Sequence, residues 1–447
     1  MLVDFSVENF LSIQDRQTIS FEPDSSVKGL EDYYFITLED EDRTKKPLHL
    51  LKIGMVYGAN AAGKSNVLKS LSFLQDIVLK VRQDKNVALS TTPFMLDYSR
   101  DSKMEINFVV NKKKYNYKLE FNRKNVVYEE LNVYTTITSK KSKKNIFIRN
   151  TNEEKQITEI KFDRSQSVDA MVEKQLNLLT LWNETTLAGF SKISADIEDL
   201  KLVSEWFDEN LLPLFPTLMP LYYITKGLLQ DKELLLSDLV SILQRADFNI
   251  TDLRLEQNQA NISDVIAEAL GGNEELQKAI EKELLITENK LSTIDDSKMF
   301  VKHTSHNGDF TLPFGVESEG TKKFFGLAGV MMYLSKTSKV MLIDELDSSL
   351  HPELYEAFIT TYLKNVKKSQ LLFTTQNREF LQKKEILRKD ALWIAKKNTN
   401  ASTELYSFAD FDSSVIRNTT SFYNVYSLGK LGGVPNVPND LLFYTEK

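Results

Sequence analysis

The chain has 447 residues, 42% hydrophobic and 27% charged, which is near the globular average and far from collagen-like, disordered or purely coiled-coil sequences. At about 100–200 residues per domain, this length implies two or three units. The absence of cysteine excludes disulfide staples, thiolate zinc sites and a cysteine nucleophile, and a net charge of −7 leaves no overall basic field for nucleic acid.

Residues 1–10 lack the basic flank and unbroken apolar run of a signal peptide, so a cytoplasmic protein is expected. Residues 1–57 alternate apolar and polar positions, as in Val3, Phe5, Val7 and Ile19, Phe21, and close on the apolar run Leu50–Tyr57; they read as strands, the last one buried. After a glycine-bearing loop, Val67, Leu68, Leu71, Leu74, Ile77 and Val78 fall at helical spacing. Period two returns over 104–162, for example at Tyr115, Tyr117, Leu119 and Phe121, and predicts an antiparallel meander. Residues 165–290 are leucine-rich at helical spacing (Leu229, Leu234, Leu235, Leu239, Leu243), interrupted by a proline cluster that breaks a helix, and predict a helical insertion. The most apolar window, 211–224, is short for a bilayer span and contains Pro213, Pro216 and Pro220, so no membrane segment is expected. From 300 onward strands are expected at Met299–Lys302, Val340–Ile343 and Leu371–Thr374, with helices between them. Such alternation argues for an α/β sheet whose ligand sites lie at the carboxyl ends of its strands.

The loop after the buried strand reads Gly58-Ala59-Asn60-Ala61-Ala62-Gly63-Lys64-Ser65, followed by Asn66 at the start of the helix, and fits G-x-x-x-x-G-K-[ST]. Its glycines let the backbone curl so that N–H groups and the helix N-terminus face a phosphate. Lys64 would reach the β- and γ-phosphates of ATP, and the Ser65 hydroxyl would ligate Mg²⁺. The strand Val340–Ile343 ends in Asp344 and Glu345. In a phosphoryl-transfer site Asp344 would hold the Mg²⁺ shell and Glu345 would polarise the attacking water. Acids commonly cap apolar strands, so this second reading leans on the presence of the first.

Ahead of that strand, Glu317-Ser318-Glu319-Gly320-Thr321 opens a helix-like segment and resembles the S-x-G signature of ABC-type ATPases. Leu346-Asp347-Ser348-Ser349-Leu350-His351-Pro352 resembles a D-loop, Leu371–Asn377 a switch strand, and Val7–Ile13 the opening strand of the SMC, Rad50, RecF and OLD group. The likeness covers about 1–80 and 300–435. The tail Tyr426–Pro435 and the Glu-Ser-Glu-Gly-Thr form resemble most the compact AbiL-type and PARIS-type ATPases of abortive-infection and phage-defence systems.

That resemblance implies an α/β ABC-type P-loop ATPase head with an antiparallel β meander and a helical insertion. Its units would be an N-terminal ATPase lobe (1–164), a helical lid (165–299) and a C-terminal ATPase lobe (300–447). It implies ATP and Mg²⁺ as cofactors and a homodimer or higher homo-oligomer, in which Ser318 and Gly320 of one copy meet the γ-phosphate held by the other. His351 would either contact the opposing nucleotide or pack beside Pro352. The implied partners are a separately encoded toxic effector, a nuclease, together with a phage-encoded trigger. Two further readings use the same site: a RecF- or Rad50-like DNA-maintenance ATPase, and a nucleotide-binding scaffold without turnover.

The chain also departs from that group. Gln376 stands where the group has a switch histidine; it can hydrogen-bond phosphate and water but cannot shuttle a proton, so slow hydrolysis is expected. No glutamine occurs between Thr91 and Phe121, which leaves the Q-loop role unassigned. About 70 residues follow Gln376, too few for a Toprim nuclease, so any nuclease would belong to a partner. Basic clusters at Lys112–Lys114, Arg123-Lys124 and Lys140–Lys144 fall at expected hairpin tips, where simple solvation competes with contact to nucleic acid or an acidic partner. His303 and His306 would not share a strand face, so metal binding is not expected there, and Trp393 with Lys396 reads as core packing.

Overall fold

The computed structural model describes residues 1–215, 220–246, 249–256, 298–411, 421–429 and 431–434. The N-terminal strands and the meander form one antiparallel sheet. It comprises β1 (Leu2–Glu8), β2 (Gln17–Ser20), β6 (Ser102–Val110), β7 (Lys113–Phe121), β8 (Val126–Tyr134), β9 (Lys143–Asn152) and β10 (Ile157–Phe162), in the order β10-β9-β8-β7-β6-β1-β2. Period-two alternation sends Ile106, Phe108, Tyr115, Tyr117, Leu119 and Leu131 into the core. The opposite face carries a rung of asparagines in register across four strands, Asn107, Asn116, Asn132 and Asn145, each bonded by its amide to the next. Beyond this sheet, β3 (Phe35–Leu38) and β4 (Leu48–Leu51) form a hairpin, preceded by the single turn α1 (Glu31–Tyr34).

The second sheet positions the site. It contains β5 (Ile53–Tyr57), β14 (Val340–Ile343), β15 (Gln370–Thr374), β16 (Leu392–Lys397) and β17 (Thr403–Ser407), in the order β14-β15-β5-β16-β17. The first four are parallel and β17 is antiparallel. Every residue of β5, β14 and β15 is buried, which explains why these strands read as unbroken apolar runs instead of alternating ones. Helix α2 (Lys64–Leu79) leaves β5. Gln370 joins the two sheets: its amide accepts from Leu2 N at 2.7 Å and donates to the carbonyls of Leu2 at 2.9 Å and Leu51 at 3.1 Å.

The insertion contains α3 (Ala170–Leu179), α4 (Thr186–Phe190), α5 (Glu198–Glu205), a π-helical turn at Trp206–Asn210, α6 (Tyr222–Gln230) and α7 (Leu236–Arg245). Two parts of it are not helical: the proline-bearing window, as its prolines imply, and a later strand, contrary to the leucine periodicity. In the proline-bearing window, Leu211 and Phe215 bridge in parallel to Val340 and Ile343, and Leu212 N donates to Val340 O at 2.8 Å; the segment lies along the edge of the central sheet. Pro213 is tolerated because an edge segment needs only alternate ladder bonds. Further on, β11 (Ile250–Glu256) pairs with β12 (Lys298–Ser305), which pairs with β13 (Gly308–Pro313). The leucine-rich stretch 257–290 lies outside the described residues, as do Pro216, Lys430 and Pro435.

Helix α8 (Glu319–Lys336) separates two apolar clusters. Leu327, Val330, Met331 and Leu334 join the main core, whereas Phe324, Phe325, Ala328 and Met332 join a smaller one with α6, α7 and β11–β12. Gly326 and Gly329 let α6 approach closely, since a Cβ on either would lie 2.6 Å from Leu221 Cβ or 2.2 Å from Thr225 Cγ2. Helix α9 (Pro352–Asn365) then links β14 to β15, and α10 (Phe422–Ser427) closes the described chain near β16. The α/β class with an antiparallel meander and a largely helical insertion is therefore the one expected from the sequence. Among the described residues no helix is long and apolar enough to cross a membrane.

Candidate functional site

Strand β5 delivers the phosphate-type loop to the carboxyl edge of the central sheet. The loop is strongly curved: Gly58, Ala61 and Gly63 have φ of 152°, 61° and 94°. Gly63 is required twice over, by its left-handed backbone and by space, since a Cβ there would lie 2.0 Å from Thr403 Oγ1 and 2.8 Å from Ser12 Oγ. Those two hydroxyls grip the loop from behind. They lie 2.7 Å apart, Thr403 Oγ1 donates to Ala62 O at 3.0 Å, and Asn66 Nδ2 donates to Ser12 Oγ at 2.7 Å. Ser12 lies in the Val7–Ile13 stretch without a role assigned to it there, and no pattern in the sequence marks Thr403. Gly58 and Ala62 are buried, Ala59 is half-buried, and Asn60 and Ala61 are exposed at the tip.

Helix α2 begins at Lys64 with Gly63 as a cap that supplies no side-chain bond, so its first N–H groups are left for the loop concavity or a ligand. Lys64 Nζ donates to the carbonyls of Gly58 at 2.9 Å and Ala59 at 3.0 Å. Burial holds its ammonium below the ordinary lysine range, while Glu345, Asp344 and Asp347 pull it back up.

Parallel pairing of Ile343 with Phe373 and of Thr374 with Val56 brings three strand ends level. A chain of hydrogen bonds crosses them. The Ser65 hydroxyl donates to Asp344 Oδ1 at 3.0 Å, the Thr374 hydroxyl donates to the same oxygen, and Glu345 N donates to Thr374 Oγ1 at 2.8 Å. Gln376 Nε2 donates to Glu345 Oε1 at 3.2 Å, and Gln376 N donates to Asp347 Oδ2 at 3.2 Å. Lys64, Ser65, Asp344, Glu345 and Gln376 are thus brought together across more than 300 residues of sequence. Thr374 and Asp347 complete the set, although the sequence reading assigned neither a role. Ser65 and Asp344 present the hard oxygen donors that Mg²⁺ prefers, so the residues fit that ion.

The signature-like turn sits on α8. Ser318 caps the helix, its Oγ accepting from Thr321 N at 3.0 Å. A Cβ on Gly320 would lie 3.0 Å from Ser349 O, so this turn rests on the D-loop-like segment. The described contacts of Ser318 and Gly320 are with Thr321 and Ser349. His351 is exposed at the N-cap of α9, with Nδ1 3.9 Å from Glu353. His303 Nε2 lies 2.8 Å from Glu317 Oε1 and its ring stacks on Phe310, whereas His306 falls in the turn between β12 and β13. Among the described residues no group of three His, Asp or Glu side chains could hold a metal ion. Trp393 is buried on β16.

The basic clusters are only partly hairpin tips. Lys112 is at the β6–β7 turn, but Lys113 pairs with Glu198 and Asp199, and Lys114 is buried with its ammonium over the Tyr134 ring. Lys140 pairs with Glu22, and Lys143 donates to Asn116.

A family model described as AAA domain, putative AbiEii toxin, Type IV TA system matches residues 55–381, from the end of β5 past the switch-like glutamine. The chain belongs to this family and carries its AAA-type ATPase domain. Among solved structures, the SMC head domain from Thermotoga maritima matches at 12% identity, covering 91% of this chain and 98% of that one, with a TM-score of 0.39. A structure of the SMC head bound to the C-winged helix domain of ScpA matches at 10% identity, covering 91% of this chain and 97% of that one, with a TM-score of 0.40. No curated protein matches.

Proposed function

From that family membership, we propose that the chain is a Mg²⁺-dependent ATPase that binds ATP between two copies of itself and uses slow hydrolysis as a switch. The switch holds or releases a separately encoded toxic effector in anti-phage defence. The observation that carries the chemistry is the hydrogen-bonded line from Ser65 through Asp344 and Thr374 to Glu345 and Gln376. That line supports a reading in which Ser65 and Asp344 offer oxygens to the cation and Glu345 offers a carboxylate to the water. When bound, Mg²⁺ supplies charge neutralisation on the phosphates.

In this reading the Gly58–Ser65 backbone cradles the phosphates, Lys64 meets the β- and γ-phosphates, and Ser65 with Asp344 holds the ion. Glu345 polarises the attacking water, and the Gln376 amide orients it without taking its proton. Ser318, Gly320 and His351 face the nucleotide of the second copy; the rest of that turn against Ser349, and the exposure of His351, support such a surface. The family's description as a putative toxin of a type IV toxin–antitoxin system supports a setting in which one component restrains a toxic activity.

The test is steady-state ATP hydrolysis by the purified chain beside Lys64→Ala and Glu345→Gln. Mg²⁺-dependent turnover that is lost in both variants, with ATP still bound by Glu345→Gln and two copies associating around it, is the expected result. A wild-type chain that binds no ATP, or turnover that persists in Glu345→Gln, would refute the assignment.

A further inference from the structure

Helix α8 begins with the signature-like turn, and two adjacent lysines follow it. Lys322 is half-buried and pairs with the exposed Glu319 at 3.0 Å, an i,i+3 ion pair within the helix. Lys323 has different partners. Its Nζ donates to the backbone carbonyl of Glu345 at 3.4 Å and lies 3.3 Å from Ser348 Oγ. Both acceptors belong to the segment after β14, and one is the main chain of the proposed water-polarising residue.

Glu345 needs such a tether. Its φ of 49° is left-handed, a conformation that side-chain-bearing residues seldom adopt, and the fold must over-determine it. Glu345 N is held by Thr374 Oγ1 from β15, while Glu345 O accepts from Ser348 N at 3.0 Å within its own turn and from Lys323 of α8 at 3.4 Å, so α8 adds a second hold on a carbonyl that its turn already engages.

We infer that Lys323 is a positioning residue that ties the signature-like turn to Glu345, so that the placement of the glutamate depends on where α8 sits. This deepens the proposed ATPase reading and rests on it. Electrostatics agrees with the geometry. Lys64 and Lys323 both feel Asp344, Glu345 and Asp347, one from the phosphate-type loop and the other from α8, and burial depresses both ammoniums. The same three carboxylates therefore act on a lysine from the phosphate-type loop and on one from α8. The chemistry at Lys323 is also specific: an ammonium whose described bonds go to a carbonyl and a hydroxyl, and not to a carboxylate, fixes a backbone instead of neutralising a neighbour. Because Gly320 rests on Ser349 in the same segment, the turn and the tether move as one piece.

The experiment compares Lys323→Met, Lys323→Arg and Lys322→Met in the full chain by steady-state ATP hydrolysis and by amide hydrogen exchange over residues 345–350. For Lys323→Met, kcat should fall about tenfold while KM for ATP stays within about threefold, the pattern of a lost transition-state arrangement. Exchange over 345–350 should accelerate, Lys323→Arg should recover most of both effects, and Lys322→Met should resemble the wild type. Unchanged exchange and kcat in Lys323→Met, or a loss that appears only in KM, would overturn the inference. If the wild type shows no turnover, the ATPase reading fails; the exchange comparison still decides whether Lys323 tethers Glu345.

Discussion

The grip on the phosphate-type loop can be tested by filling the space behind Gly63. In Gly63→Ala the new Cβ meets Thr403 Oγ1 at 2.0 Å and Ser12 Oγ at 2.8 Å, and the residue keeps a φ of 94°. The left-handed backbone costs roughly 1–2 kcal/mol for a residue with a side chain. Overpacking against two hydroxyls adds about 1–3 kcal/mol. The expected loss is therefore about 2–5 kcal/mol. With an unfolding entropy near 2.1 cal/mol/K per residue, 447 residues unfolding together would convert each kcal/mol into about 1 °C, so a melting temperature lower by about 2–5 °C is predicted. Binding of a fluorescent ATP analogue should weaken in parallel, because the loop must open to admit the methyl group. Thr403→Ala removes the closer obstacle at the cost of the bond to Ala62 O, about 1 kcal/mol. In a double-mutant cycle the pair Gly63→Ala/Thr403→Ala should be more stable than the sum of the single changes by about 1–3 kcal/mol. Strictly additive effects, or a Gly63→Ala variant that melts with the wild type, would refute the argument that Thr403 and Ser12 define the back of the loop.

Two other perturbations probe the frame and the site. Burial on β1 raises the Asp4 carboxyl to about 6, against an unfolded value near 3.9. Between about pH 4 and 6 the folded state retains a proton that the unfolded state releases, so stability falls as pH rises through this window, by at most about 3 kcal/mol. Asp4→Asn, which keeps an acceptor for the Asn107 amide, should remove that slope and melt higher than the wild type at pH 8; a lower melting point there would contradict the linkage. Thr374→Val keeps the shape of a fully buried side chain but strips Glu345 N of its acceptor and Asp344 of a donor, which should destabilise by about 1–3 kcal/mol and reduce turnover with little change in KM. An unaltered kcat in this variant would mean that the line across the strand ends is not what orients the acids.

Which parts of this arrangement were readable in the sequence follows from how far apart their determinants lie. The phosphate-type loop, the acid pair and the signature-like turn are each local, and each sits at the end of an element whose periodicity marks it. Strands β5, β14 and β15 were clear because burial on both faces demands apolar runs. The clamp of Ser12 on Thr403 spans 391 residues and uses two ordinary hydroxyls, so no pattern announces it. In the segment 211–215 the prolines exclude a helix, but the edge position itself is chosen by tertiary pairing with Val340 and Ile343, not by propensity. Strand β11 lacked a local signature for the same reason, since its partner β12 lies more than 40 residues away.

The edge segment also sets the insertion against the elements that carry the site. Leu214 N donates to Ser72 Oγ at 3.2 Å and Gln75 Nε2 donates to Phe207 O at 2.8 Å, so the end of the insertion's first helical part is pinned to α2, the helix that starts at Lys64. Phe215 then bridges to Ile343, one residue before Asp344. Farther along, Thr225 Oγ1 donates to Gly326 O at 2.9 Å, which pins α6 to α8 behind the signature-like turn. Close-packed interiors transmit displacement because they have little free volume in which to absorb it. A shift of α8 against the central sheet is therefore passed to α6 through this contact. The meander meets α2 as well, where Phe121 of β7 packs against Phe73 with ring centroids 5.3 Å apart.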